Sequence, residues 1–235
     1  MFRSLAAVAS TVLACAFAAA AFAQTSAPAA SPPPPLMPIT LAGDAARGAV
    51  IGQTCAGCHG IPGYYNAQPA YHVPKLGGQN ADYVEVALQG YRRGTRGHET
   101  MHAQASSLSD QDIADVAAFY SQHGPEGGAA PDKPAVEPSP PVAALLQKGV
   151  CNSCHGPNYT KPIDGGYPKI AGQYADYLYA ALKAYQTDKN PHVGRGNAIM
   201  AAQVKQFSHA ELRSLADYIG SLPGELRTVR ESAFK

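Results

Sequence analysis

Two short runs carry the residues with the most distinctive chemistry: Cys55-Ala56-Gly57-Cys58-His59-Gly60 and Cys151-Asn152-Ser153-Cys154-His155-Gly156. Each places two thiols on one turn of chain with an imidazole directly after the second. Two thiols at that spacing reach the two vinyl groups of a haem while the adjacent imidazole reaches its iron, so that all three meet one rigid ring. A zinc site would require a second cysteine pair or other ligands in each half, and a redox-active dithiol would not require the histidine. The expected cofactors are therefore two covalently attached haem c groups. Cys55 and Cys58 would hold the first and Cys151 and Cys154 the second, with His59 and His155 as axial iron ligands.

The group opposite each histidine decides between electron carriage and substrate chemistry, because an iron with both axial positions filled has no open site. Met101 and Met200 are the expected ligands. They occupy matched positions in Arg96-Gly97-His98-Glu99-Thr100-Met101 and Arg195-Gly196-Asn197-Ala198-Ile199-Met200. Thioether sulfur favours ferrous iron and raises the reduction potential. In the first half His72, His98 and His102 are alternatives; His98 and His102 have Asn197 and Ala201 at the matching places. The other ring nitrogen of each axial histidine needs a partner, commonly a backbone carbonyl. Pro74 and Pro168, in the loops after the two motifs, are the candidates, unless each merely stiffens a turn. Arg96 and Arg195 either pair with haem propionates or stand as ordinary surface arginines. His123, His192 and His209 read as surface residues.

These landmarks recur in one order, which marks a duplicated domain. Pro74-Lys75-Leu76-Gly77-Gly78-Gln79-Asn80-Ala81-Asp82-Tyr83 reappears as Pro168-Lys169-Ile170-Ala171-Gly172-Gln173-Tyr174-Ala175-Asp176-Tyr177. The periodicity within each copy is helical. Helices are expected at Ala45 to Thr54 and Val142 to Val150, leading into the cysteines, and from Asp82 and Asp176 past Tyr91 and Tyr185. Final helices open at the capping signals Ser109-x-x-Asp112 and Ser208-x-x-Glu211, and no strand pattern competes. The fold class is all-α, with two tandem domains at 41–124 and 141–224. Each is small for a self-sufficient core, a shortfall that a large apolar cofactor would make good. A Pro-rich linker at 125–140 separates them, too rich in proline to hold a helix. A Pro-rich arm at 24–40 precedes them, expected to be disordered, and a tail at 225–235 follows.

Arg3, the Ala-rich apolar run from Leu5 and the ending Ala21-Phe22-Ala23 form the charged start, apolar core and small-residue cleavage site of a secretory signal. Residues 1–23 would then be removed and the protein exported to the periplasm. Alternatively, the uncut run is long enough to span a bilayer, or Cys15 in Val-Leu-Ala-Cys is lipidated. Net charge is near zero, with 18 Lys and Arg against 17 Asp and Glu, so no basic excess points to nucleic acid. The charge is uneven, mildly acidic in the first domain and basic after Pro141. Such a dipole could orient the protein between partners, with Lys183 and Lys189 on the basic side.

With attachment motif, proline loop and methionine before the last helix in each half, the chain resembles the class I c-type cytochromes. The tandem arrangement with Pro-Lys-[Leu/Ile]-x-Gly-Gln and Asp-Tyr resembles the cytochrome c4 family in particular, over about Leu41 to Pro223. The long Pro-rich arm and linker depart from that pattern. The resemblance implies a periplasmic electron carrier with its domains packed about a pseudo-twofold axis, so that electrons pass between the haems. Its redox partners would be a membrane-bound terminal oxidase as acceptor and a quinol-oxidising complex or dehydrogenase as donor. No catalytic residue and no small-molecule substrate are expected. The alternatives are a dihaem subunit of a larger dehydrogenase and a dihaem peroxidase, the latter needing a larger chain and an iron that can open.

Overall fold

The computed structural model describes residues 36–124, 131–187, 190 and 192–234. The expected signal segment, residues 24–35 of the arm, linker residues 125–130 and Lys189 lie outside them. The described architecture is helical. In the first domain α1 (Ala45–His59) is followed by two short strands, β1 (Tyr65–Asn66) and β2 (Tyr71–His72), then α2 (Ala81–Arg92), α3 (Glu99–Ser106) and α4 (Asp110–Gln122). The second domain contains α5 (Pro140–Gly149), α6 (Asn152–His155), α7 (Ala175–Gln186), α8 (Ala198–Val204) and α9 (His209–Ser221), and a 3-10 turn, Glu231–Phe234, lies near the end of the chain. The antiparallel pair β1 and β2 was not expected from the sequence. Two-residue strands are too short to show an alternating pattern.

Asp44 caps α1 by accepting from the N–H groups of Ala46 and Arg47. Helix α1 crosses α4 at close range because Gly48 has no side chain: a Cβ there would lie 2.0 Å from the Asp115 carbonyl oxygen. The Asp115 carboxylate, wholly buried, accepts from the Asp44 N–H at 2.8 Å, the Gln111 amide at 2.8 Å and the Arg47 guanidinium. Burial alone would raise its pKa, yet these donors hold it below the usual carboxylate range. Helices α4 and α9 both open with complete capping boxes, at Ser109/Asp112 and Ser208/Glu211. Their apolar stripes supply Ile113, Val116, Ala117 and Tyr120 to one core and Leu212, Leu215, Ala216 and Ile219 to the other.

The connecting segments differ from the sequence reading in three places. The end of the arm, residues 36–40, is not loose: Gln89 donates to the Met37 carbonyl at 2.8 Å and Ile39 N–H donates to Glu85 at 2.6 Å. Glu85 and Gln89 sit one turn apart on α2 and grip the arm together. In the linker, Pro140 and Pro141 form the first turn of α5, because a helix's first N–H groups have no intrahelical partner for a proline to deprive. Upstream of them, Asn158 donates to the Pro131 carbonyl, Lys161 pairs with Asp132, and Tyr218 donates to the Val136 carbonyl at 2.9 Å. Pro131, Asp132 and Val136 of the linker thus lie on the second domain.

The third departure is the C-terminal tail, which crosses the other way, onto the first domain. Arg227 and Gly77 exchange both backbone hydrogen bonds at 2.9 Å. Val229 and Phe234 complete the cluster of Ala56, Val116, Phe119 and Tyr120.

Candidate haem sites and the seam between them

In the first domain α1 runs unbroken through Cys55, Cys58 and His59. In the second, α5 stops at Gly149, Val150 adopts a left-handed conformation (φ 46°), and α6 carries the remainder of the motif. The proximal geometry is nevertheless the same: His59 Nδ1 lies 2.9 Å from the Pro74 carbonyl and His155 Nδ1 lies 2.9 Å from the Pro168 carbonyl. Each bond fixes the ring and its tautomer, leaving Nε2 free of hydrogen bonds among the described residues. Burial lowers both histidine pKa values, against the opposing pull of the proline carbonyls. Burial thus favours the neutral imidazole, the form that binds a metal. Each proline loop is tied to its domain's last helix, with Gly78 N–H on the Tyr120 carbonyl at 2.9 Å and Gly172 N–H on the Ile219 carbonyl at 3.1 Å. Both glycines have left-handed φ, 79° and 71°, where other residues are strained.

Met101 and Met200 sit half-buried in the first turn and a half of α3 and α8. His98 and Asn197 are the N-caps of these helices, accepting from the Met101 and Met200 N–H groups at 3.3 and 2.9 Å. His98 thus has the same local task as its asparagine counterpart. His102 Nδ1 is bound to the Tyr91 carbonyl at 2.7 Å and His72 to Asp176 of the second domain at 2.7 Å. His123 binds the Phe119 carbonyl, His192 pairs with Glu99, and His209 is exposed.

Arg96 and Arg195 meet at the seam between the domains. Gly97 N–H donates to the Gly194 carbonyl and Gly196 N–H to the Thr95 carbonyl, both at 2.7 Å. Arg96 donates to the hydroxyls of Tyr83 at 3.1 Å and Tyr177 at 3.0 Å, and Arg195 donates to Tyr177 at 3.3 Å. Neither is an ordinary surface arginine: Arg195 is buried, and Arg96 is half-buried with its Nε sealed from solvent and unpartnered. Among the described residues no carboxylate pairs with either guanidinium. Burial raises the Tyr83 hydroxyl to about 12. Burial would raise Tyr177 as well, but Arg195 and Arg96 outweigh it and bring that hydroxyl down to about 8.

The sequence reading missed the glutamines that lock this seam. Gln79 accepts from Lys169 N–H at 2.9 Å and donates to the Lys169 carbonyl at 3.0 Å, while Gln173 makes the same two bonds to Lys75, both at 3.0 Å. The reciprocity is that of a pseudo-twofold axis. The repeated Gly-Gln was itself the available signal, since residues near such an axis meet the partner copy of their own motif.

The arrangement fits haem on three counts: one cysteine of each pair, Cys55 and Cys151, lies against an apolar cluster, each imidazole is oriented by a proline carbonyl, and among the described residues the Arg96 and Arg195 guanidiniums lack a carboxylate partner, which propionates would supply. The cytochrome c family model matches residues 45–124 and 141–223. Cytochrome c4 of Azotobacter vinelandii is 31% identical over 194 residues, covering 77% of this chain and 90% of its own. The chain belongs to the cytochrome c4 family. The reduced cytochrome c4 of Pseudomonas stutzeri superposes with a TM-score of 0.58 at 27% identity, covering 77% of this chain and all of that one. A thiosulfate dehydrogenase electron acceptor from Stutzerimonas stutzeri is 31% identical over 181 residues, covering 72% of this chain and 78% of its own. The protein is a dihaem c-type cytochrome of two helical cytochrome c domains, carrying two covalently attached haem c groups.

Proposed function

We propose that this cytochrome c4 homologue is an exported, periplasmic electron shuttle that passes single electrons between respiratory redox proteins and performs no substrate chemistry. The observation that carries the reading is the duplicated proximal geometry on two sides of a locked seam where, among the described residues, the Arg96 and Arg195 guanidiniums have no carboxylate partner. The haems, when bound, would supply the one-electron chemistry. Cys55, Cys58, Cys151 and Cys154 anchor the two groups through thioether bonds. His59 and Met101 in one domain, and His155 and Met200 in the other, would hold the two irons and leave no site for exogenous ligands. The Pro74 and Pro168 carbonyls hold the imidazoles in one orientation through a change of charge. Arg96 and Arg195 would compensate the charge of the propionates at the seam, and Gln79 and Gln173 keep the domains from parting. A membrane-bound terminal oxidase is the proposed acceptor, and a quinol-oxidising complex or dehydrogenase the proposed donor.

The test is exposure of the fully haem-loaded ferrous protein to carbon monoxide, and of the purified protein to peroxide. Closed irons leave the spectrum unchanged by carbon monoxide and give no peroxide turnover. Rapid ligand binding or turnover would move the protein to the peroxidase class. The likeness to a thiosulfate dehydrogenase electron acceptor favours one second reading, a dihaem subunit dedicated to a dehydrogenase. Stable copurification with a catalytic subunit would select it over the free shuttle.

A further inference from the structure

The two cysteine pairs are enclosed differently. Cys151 lies against Tyr159, Ala171 and Leu222, all near the second domain's own motif and proline loop or just after its last helix. The Tyr159 carbonyl accepts from the Ile170 and Ala171 N–H groups at 2.9 and 3.1 Å, backing the Pro168 loop. Cys55 lies instead against a cluster containing Val229 and Phe234 from the far end of the chain. The Pro74 loop is backed by Arg227, through its paired bonds with Gly77. Phe234 is nearly wholly buried, with its ring 4.5 Å from that of Phe119 and 6.0 Å from that of Tyr120. Its place exists because residue 52 is glycine: a Cβ there would come within 2.9 Å of the Phe234 ring. The matching residue in the second domain is Lys148, whose ammonium lies over Phe207.

Tyr120 is the second difference. It belongs to the cluster against which Cys55 packs, is almost fully buried, and its hydroxyl has no hydrogen-bond partner among the described residues. A buried hydroxyl left unpaired is costly, whereas Ile219, at the matching place, carries no polar atom. Burial also pushes the Tyr120 hydroxyl upward, so it remains a donor across the working pH range.

We infer that the C-terminal segment from Arg227 to Phe234 is a wall of the first haem site and that, with the Tyr120 hydroxyl it encloses, it raises the reduction potential of that haem alone. The inference rests on the haem reading above. A wall that excludes water disfavours the extra positive charge of the ferric state, and a hydrogen bond donated toward the haem favours the electron-rich ferrous state. Both effects act in one direction. Tyr120, Val229 and Phe234 are thus positioning residues for the proposed electron-transfer role, and the tail of one domain tunes the other.

The test uses the full, haem-loaded chain with Tyr120→Phe and Phe234→Ala, and Phe234→Leu as the conservative control. A redox titration resolved into two midpoint potentials should show one potential lowered by Tyr120→Phe and by Phe234→Ala, the same one that Met101→His displaces, with the other unmoved. A shift equivalent to about tenfold in electron distribution, which is about 59 mV for one electron, is the upper end expected. Phe234→Leu should recover most of it. Tyr120→Phe removes one oxygen and keeps the ring, so it remains decisive even where Phe234→Ala loosens the tail. Two unchanged potentials, or two that move together, would overturn the inference. The far-red methionine-to-iron band, read on the same samples, reports axial ligation whichever way the potentials go and so separates the two readings.

Discussion

The first and second domains place the same landmarks by different means. In the first, one unbroken helix carries Cys55, Cys58 and His59, crosses the last helix at Gly48, and is closed by a strand-like tail from the other end of the chain. In the second, Ala144 stands where Gly48 would, the helix breaks at Val150, and the linker and Tyr159 take over the closing role. The two His-to-carbonyl contacts are nonetheless the same to 0.1 Å. Duplication has held fixed what faces the cofactor and left free what supports it from behind.

The largest expected break in this comparison is Phe234→Ala. It empties an aromatic site in the first core only, and should cost about 3 kcal/mol, seen as earlier denaturant unfolding of the first domain with the second domain's signals unshifted. Next, Gln79→Ala and Gln173→Ala each remove two cross-domain hydrogen bonds. At about 1 kcal/mol per bond each should cost about 2 kcal/mol, and the two losses should be equal in matched thermal melts. Unequal losses would show that the seam is less symmetric than its bonds. Val150→Gly should stabilise by about 1 kcal/mol, because a β-branched residue in the left-handed region is strained and glycine is not. The matching substitution of helical Thr54 should instead destabilise.

The smallest effect concerns the capping carboxylates. The Ser109 hydroxyl and N–H hold the Asp112 pKa down, and the Ser208 N–H and hydroxyl do the same for Glu211. A lowered folded-state pKa contributes stability above the ordinary carboxylate range and loses it as pH falls through the folded value. Asp112→Asn and Glu211→Gln should therefore lower the melting temperature slightly and equally at pH 7, and the difference from the unsubstituted protein should vanish in strong acid.

Much of this architecture was legible in the sequence, for local reasons. The attachment motif, the capping serines and the helical stripes are all set by spacings of a few residues. The repeat supplied the domain count and the matched methionines. What escaped is non-local. Nothing near Phe234 shows that its neighbours are Gly52 and Phe119, and a lone Gln79 does not disclose a backbone partner 90 residues away. Arg96 and Arg195 could be read as propionate partners or as surface charges because their burial depends on the two copies meeting. The prolines at 140 and 141 misled because their effect on a helix depends on whether they stand in its first turn or its interior.

The central claim is that two similar sites each close their iron with histidine and methionine, leaving only electrons to move. The most direct measurement is the far-red absorption of the oxidised, haem-loaded protein, where methionine sulfur on ferric haem gives a weak band, compared with Met101→Ala and Met200→Ala. Each substitution should remove about half of the band, as expected for two equivalent ligands. A band that is missing from the unsubstituted protein, or that disappears entirely with one substitution, would contradict it.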